Sequence, residues 1–266
     1  MTHKGYNRFC PALAVALCIS SWAFAQDRGH DFEWTGKLAA DQILEIKNLS
    51  GRIEARGDAS DQVEVTAEKI GPGADAVKIE VVPHGAGVTI CAIYPGGETG
   101  AVSGPCEPGR KWHVDRDESK AKVNFVVHLP ANLRFAATTV NGSITADDIG
   151  RSVRADSVNG SLRVSTKQWA ELTSVNGSIE ARMGSADWTG RLKISTVNGS
   201  IDLKMPGDLN ADVRFSSVNG RLSSDFPLSL SGTLGGRRME GRIGNGGREL
   251  VLNTVNGSVH LRGDSI

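Results

Sequence analysis

Thr139-Val140-Asn141-Gly142-Ser143-Ile144 is the stretch on which the fold turns, because versions of it return at Asn159, Asn176, Asn198, Asn219 and Asn256. Successive asparagines are 18, 17, 22, 21 and 37 residues apart, the last interval long enough for two units. Self-similarity at such a period marks a chain that adds one supersecondary unit after another. Met239-Glu240-Gly241-Arg242-Ile243 reads as a decayed copy inside the long interval. Asn48-Leu49-Ser50-Gly51-Arg52-Ile53 reads as an earlier one.

Apolar residues alternate with polar ones on both sides of the motif, as in Leu192, Ile194 and Thr196 before Asn198 and Ile201, Leu203 and Met205 after it. That period of two indicates strands with one buried face. Asn-Gly between two strands is also a hairpin signal. A hairpin would leave the valine before each asparagine on the solvent face, whereas the corner of a coil lets these valines turn inward and stack. The coil is therefore expected, with glycine supplying a positive φ at the corner. Asn141, Asn159, Asn176, Asn198, Asn219 and Asn256 would form an amide ladder between strands ~4.8 Å apart. Asp148-Ile149, Asp187-Trp188 and Asp208-Leu209 mark a second corner, where Asp148, Asp187 and Asp208 cap a turn and the apolar neighbour plugs the rung. One such unit cannot bury its apolar face alone, so copies must stack. The expected fold class is all-β: a single-chain β-solenoid, a β-helix taken as right-handed, with rungs of about 17–22 residues.

Residues 1–25 read as a cleaved Sec signal peptide, with Lys4 and Arg8 before the apolar stretch and Ala23-Phe24-Ala25 at the cleavage site. Residues 26–31 are expected to be a disordered N-terminus and 32–266 one solenoid domain, less regular over 32–129 and regular over 130–266. No later apolar stretch approaches the ~20 residues of a membrane-spanning helix. An exported destination follows. The chain ends Arg262-Gly263-Asp264-Ser265-Ile266 with no anchoring tail, so the periplasm is the simpler compartment, with surface display or secretion as alternatives.

Thirty basic and thirty acidic side chains become 28 and 30 once the signal leaves, which gives no basic nucleic-acid footprint. Cys10 and Cys18 leave with it. Cys91 and Cys106 remain as an even pair in an oxidising compartment, and a structural disulfide is expected to close the Gly/Pro-rich excursion between them.

Chemistry-bearing patterns are sparse. The histidines show no ligand spacing, and Gln168 interrupts the aspartate column, which lacks the dense oxygen ligands of calcium motifs. Neither catalytic, cofactor nor metal residues are expected. Trp169 and Trp188 fall where Ile149 and Leu209 fall in neighbouring repeats, so they read as corner packing rather than a sugar platform. Trp112, in the charged run from Arg110 to Asp117, is the candidate ligand contact, on a loop. Arg56-Gly57-Asp58 and Arg262-Gly263-Asp264 both follow a repeat and read as turn chemistry. The Asn-Gly pairs are prone to deamidation where exposed.

The run from Pro130 through Thr139-Val140-Asn141-Gly142-Ser143-Ile144 to the closing Leu252-Asn253-Thr254-Val255-Asn256-Gly257-Ser258-Val259, with the upstream Val88-Thr89-Ile90-Cys91, resembles a known bacterial family. It is the family of exported β-strand-repeat proteins named "putative adhesins", of unknown function. The resemblance covers essentially the whole mature chain and implies a β-solenoid without implying a chemistry. The expected function is a non-enzymatic, adhesin-like binding or scaffold protein of the cell surface or envelope. Its partner would be an unknown protein or glycan of the envelope, and an uncapped end would permit end-to-end self-association. The alternatives are a periplasmic accessory protein in envelope-stress signalling and a polysaccharide-active β-helix enzyme.

Overall fold

Each Val-Asn-Gly lies at a corner where the chain leaves one β-sheet and enters another that faces it. The structure, a computed structural model, describes residues 26–28, 31–96, 105–109, 120–230 and 238–264; the expected signal segment lies outside them. The first strands are β1 (Gln26–Arg28), β2 (Asp31–Gly36), β3 (Ile43–Lys47), β4 (Ile53–Asp58), β5 (Val63–Ile70), β6 (Lys78–His84), β7 (Gly87–Ile93) and β8 (Lys122–Pro130). The repeats supply β9 (Arg134–Asn141), β10 (Ile144–Ile149), β11 (Val153–Asn159), β12 (Leu162–Thr166), β13 (Ala170–Thr173), β14 (Ile179–Met183), β15 (Arg191–Ser195) and β16 (Ile201–Pro206). Then come β17 (Ala211–Ser216), β18 (Leu222–Ser224), β19 (Ser229–Leu230), β20 (Arg238–Ile243), β21 (Arg248–Asn253) and β22 (Val259–Asp264).

Among the described residues these strands make two eleven-stranded sheets. Sheet I runs β1-β2-β5-β8-β4-β10-β12-β14-β16-β22-β18, and sheet II runs β6-β7-β3-β9-β11-β13-β15-β21-β17-β20-β19. Through the middle, neighbours within a sheet are parallel and in register, as in Leu162 beside Ile179 and Ile179 beside Ile201. Parallel neighbours need a long return path. Here the intervening strand of the opposite sheet provides it.

Alternation follows the expected period of two. In β16, Ile201, Leu203 and Met205 are buried while Asp202 and Lys204 point away, and β15 buries Leu192 and Ile194 in the same way. The inward residues of both sheets, with Phe125, Phe135, Phe215 and Trp188 among the largest, belong to one core cluster. Burying each such side chain stabilises the fold by ~1.5–3 kcal/mol.

The fold is all-β, but a coil assembled in chain order is not what forms. The β3–β4 unit lies between β7–β8 and β9–β10, and the β21–β22 unit is inserted between β15–β16 and β17–β18. Antiparallel strands flank the stack: β6 on β7, the β1-β2-β5 run on β8, and β20 with β19 on β17. The sheets are therefore mixed. The repeats present nearly the same rows of Ile, Leu, Asn and Gly to their neighbours, so a unit docks as well beside one copy as beside another. The connections decide which.

Two local expectations fail for related reasons. Met239–Ile243 is no corner copy, because Glu240 sits in β20 and pairs with Arg214 of antiparallel β17. Gln26–Arg28, expected to be disordered, forms β1 on the free edge of β2, where unpaired backbone groups accept another strand. Ser50 takes the asparagine place of the early copy, bridging to Asn141.

Candidate functional site

The corner is built from four columns of backbone and side chain. Asn159 Nδ2 donates to Asn141 Oδ1 at 2.8 Å, Asn176 to Asn159 at 2.8 Å and Asn198 to Asn176 at 2.7 Å. Asn256 then donates to Asn198 and Asn219 to Asn256, each at 2.7 Å, following spatial rather than chain order. Two residues before each asparagine that follows Asn141 in the stack, a buried hydroxyl donates to the glycine carbonyl of the preceding unit. The pairs are Ser157 to Gly142 (3.0 Å), Ser174 to Gly160 (2.9 Å), Thr196 to Gly177 (2.8 Å), Thr254 to Gly199 (2.8 Å) and Ser217 to Gly257 (3.0 Å). The sequence reading did not assign this role. Its signal was visible, since Ser or Thr occupies that place before all six asparagines.

The glycines are required for a different reason than a positive φ. A Cβ on Gly160, Gly177, Gly199 or Gly257 would sit 1.8, 2.1, 2.2 or 2.0 Å from the glycine carbonyl oxygen of the adjoining unit. None of them is among the residues with positive φ; Gly51, in the early copy, is, at 113°. Only hydrogen leaves room for backbones this close.

Four of the six motif valines do not turn inward, whereas Val140 packs half-buried against the core and Val175 is half-buried. Val158, Val197, Val218 and Val255 are 38, 38, 43 and 37 % exposed, a stripe beside the asparagine ladder. The hairpin is excluded by a different fact: β9 and β10, like the other pairs flanking Val-Asn-Gly, lie in different sheets.

At the opposite corner Ile149, Trp188 and Leu209 are buried, and Trp188 Nε1 donates to the Glu249 carbonyl at 3.2 Å. Trp169 is half-buried against the core, so the two tryptophans make no exposed platform. Asp148, Asp187 and Asp208 are exposed and make no side-chain bond to the turn backbone. Asp148 takes the strained left-handed conformation at φ 51°, with Lys167 Nζ 3.8 Å from its carboxylate.

Cys91 and Cys106 form a disulfide. It holds a short segment over the outer face of sheet II. There Lys47 Nζ donates to the Glu107 carbonyl at 2.5 Å, and Glu45 Oε2 accepts from the Gly109 N–H at 3.0 Å and from Thr89 Oγ1 at 2.8 Å. Glu45 and Lys47 also pair at 3.4 Å, so both buried charges are matched.

On the outer face of sheet I, a cavity of about 530 Å³ opens across β10, β12, β14, β16 and β22. Its walls carry Arg163, Glu180, Arg182, Asp202, Lys204 and Arg262. Register sets the rows: Arg163 beside Glu180, then Asp202; Arg182 beside Lys204, then Arg262. Ion pairs lock them, with Arg163 to Glu180 at 3.0 Å, Arg262 to Asp202 at 2.6 Å, and Asp264 to Lys204 at 2.6 Å and Arg182 at 2.8 Å. The hydrogen bond from Lys204, and after it that from Arg182, holds the Asp264 carboxyl below the usual carboxylate range. Both Arg-Gly-Asp tripeptides lie within strands, β4 and β22, rather than in turns.

Ser223 Oγ lies 2.7 Å from His260 Nδ1, and Asp202 is the register partner of His260 on the other side. The three do not make a nucleophile relay. Asp202 is engaged by Arg262 rather than by the imidazole, and a relay needs the acid bonded to the base. Trp112 lies outside the described residues.

Residues 113–262, more than half of the chain, match the family model Toastrack DUF4097. The chain belongs to the Toastrack DUF4097 family. The Val-Asn-Gly repeats that carry the resemblance read from the sequence fall within that span. No curated protein matches this Toastrack chain. Solved structures similar to it include a "putative cell adhesion protein" from Clostridium sporogenes, at 9 % identity and a TM-score of 0.43 over 87 % of this chain and 99 % of that one. A "putative adhesin" from Bacteroides fragilis aligns at 11 % identity and a TM-score of 0.32 over 88 % of this chain and 97 % of that one. Another from Parabacteroides merdae aligns at 10 % identity and 0.27 over 90 % of this chain and 98 % of that one. No helix among the described residues is long and apolar enough to cross a membrane.

Proposed function

We propose that this chain is an exported, non-enzymatic binding scaffold of solenoid type, adhesin-like in that it holds an extended envelope polymer, glycan or protein, along the outer face of sheet I. The observation that carries the reading is the charged cavity whose rows are set by strand register across β10, β12, β14, β16 and β22. It runs roughly 19 Å at the spacing of neighbouring strands. Its side chains are held by one another before any ligand arrives, which lowers the ordering cost of binding. Each guanidinium carries five donors and spends few of them on its carboxylate partner, so donors remain for hydroxyl, carboxylate or carbonyl groups. Glu180 and Asp202 are engaged as ion-pair partners, and Asp147 accepts from the Ser165 hydroxyl, rather than being set aside for proton transfer, which favours binding over turnover. A right-handed coil through the middle of the stack accords with the hand that parallel crossovers take. Export rests on the reading of residues 1–25.

Isolated envelope polysaccharide and envelope protein are each titrated against the purified chain and against Arg182→Glu/Lys204→Glu. Lys193→Glu, a charge change on the exposed face of sheet II, is the control. Binding lost in the groove variant and retained in the control is expected. Equal binding by all three would remove sheet I as the contact surface. Protease access to a C-terminal tag, in intact and in outer-membrane-permeabilised cells, separates surface display from the periplasm.

A further inference from the structure

The Asn-Gly pairs of the ladder share a sequence motif but not a chemical environment. At every unit but one, the glycine N–H donates to the asparagine carbonyl of the next unit. Gly142 donates to Asn159, Gly160 to Asn176, Gly177 to Asn198, Gly199 to Asn256 and Gly257 to Asn219, all at 3.0 Å. The β17–β18 unit ends the stack, and among the described residues the Gly220 N–H has no acceptor. The amides repeat the asymmetry. Asn159, Asn176, Asn198 and Asn256 each donate through Nδ2 and accept through Oδ1, whereas Asn219 donates to Asn256 and accepts nothing. Asn219 and Gly220 are both exposed, while the other five motif glycines are half-buried. The remaining described Asn-Gly pair, Asn245-Gly246, is also tied, through the Gly246 N–H to the Ile243 carbonyl at 3.1 Å.

We infer that Asn219-Gly220 is a site of selective self-modification, the one Asn-Gly of the ladder that deamidates while the protein stays folded. Solvent base removes the Gly220 amide proton, and the nitrogen attacks Asn219 Cγ. The N–Cγ bond forms, the bond from Cγ to the amide nitrogen breaks, and ammonia leaves with a proton from solvent. Water then opens the succinimide at either carbonyl, giving aspartate or isoaspartate. Every interior glycine must first break its inter-unit hydrogen bond before its nitrogen can react, and that bond reduces the open population roughly fivefold or more. The product changes the end of the stack. A carboxylate at 219 has no N–H to give Asn256 Oδ1, and isoaspartate lengthens the main chain where Asn219 accepts from Gly257. The β18 strand of this unit, held only by β22, is thereby loosened, in a reaction timed by its own chemistry.

Each ladder asparagine falls in its own tryptic peptide, with Asn219 in the one from Phe215 to Arg221. The full chain is held at mildly alkaline pH, folded and in denaturant, and conversion at each asparagine is followed by mass spectrometry of the digests. The expected result is conversion at Asn219 roughly fivefold or more faster than at Asn141, Asn159, Asn176, Asn198 or Asn256 in the folded chain, with the difference collapsing in denaturant. Equal rates in the folded chain, or a faster interior asparagine, would overturn the inference. Faster exchange at the Gly257 amide in Asn219→Asp than in wild type tests the loosening separately; unchanged exchange would overturn that part.

Discussion

A methyl group on Gly177 would lie 2.1 Å from the Gly160 carbonyl oxygen, so the glycine row sets how closely two units can approach. Gly177→Ala is expected to destabilise the protein by about 1–3 kcal/mol, the usual cost of overpacking. Gly85 has nothing within 4 Å of the same position and no positive φ. Gly85→Ala should therefore change stability by less than about 0.5 kcal/mol. Urea melts of the two variants beside wild type decide it, and similar losses in both would contradict the close-approach account. At this scale the sequence pointed to the right residues for partly wrong reasons. Glycine was legible at each corner, but its cause is contact with a neighbouring unit and not its own φ, and contact between units is invisible in a single repeat. The valines fail in the same way: which side of a corner a residue takes depends on the angle through which the chain turns there.

The strands add electrostatic and covalent constraints that no single residue shows. Asp156, on β11, has its carboxyl pushed up by burial, with Glu171 adding to the shift and Arg154 opposing it. Because folding raises this pKa, the group's contribution to stability is fully present below its unfolded value and is lost as pH rises through the folded one. At neutral pH the ionised Asp156 is thus a cost to the fold. Asp156→Asn should raise the melting temperature at neutral pH, with the gain vanishing below the ordinary aspartate pKa of about 3.9. A gain independent of pH would sink that assignment. The Cys91–Cys106 bond closes a separation of 15 residues, and Cys91→Ser/Cys106→Ser should cost about 3 kcal/mol by the chain-entropy argument. Chemical denaturation with and without reductant measures it: wild type should fall toward the variant when reduced, and the variant should not respond. The cysteine pairing could be read from an even count in an exported chain. The Glu45, Lys47 and Thr89 network beneath it could not, because its partners are main-chain groups of Glu107 and Gly109.

Across the whole molecule the units do not stack in the order in which they are made. β21 and β22 separate β15–β16 from β17–β18, so residues 248–264 lie inside the stack rather than at its end. Removing residues 248–266 should therefore unfold β17–β20 as well, through loss of both parallel partners. Removing a true end would only fray it. Amide hydrogen exchange on the truncated chain gives the answer, and continued protection of β17 would refute the insertion. The sequence by itself determined that the protein is all-β, that it repeats, where the corners fall and which side chains alternate into the core, because these follow from a period of two and from side-chain chemistry local to each repeat. The tertiary structure alone decided the order of the units, the antiparallel strands that flank them, the outward valines and the charged groove on sheet I. Near-identical units carry no address for one another, and only the lengths of their connections and the contacts they reach select a neighbour.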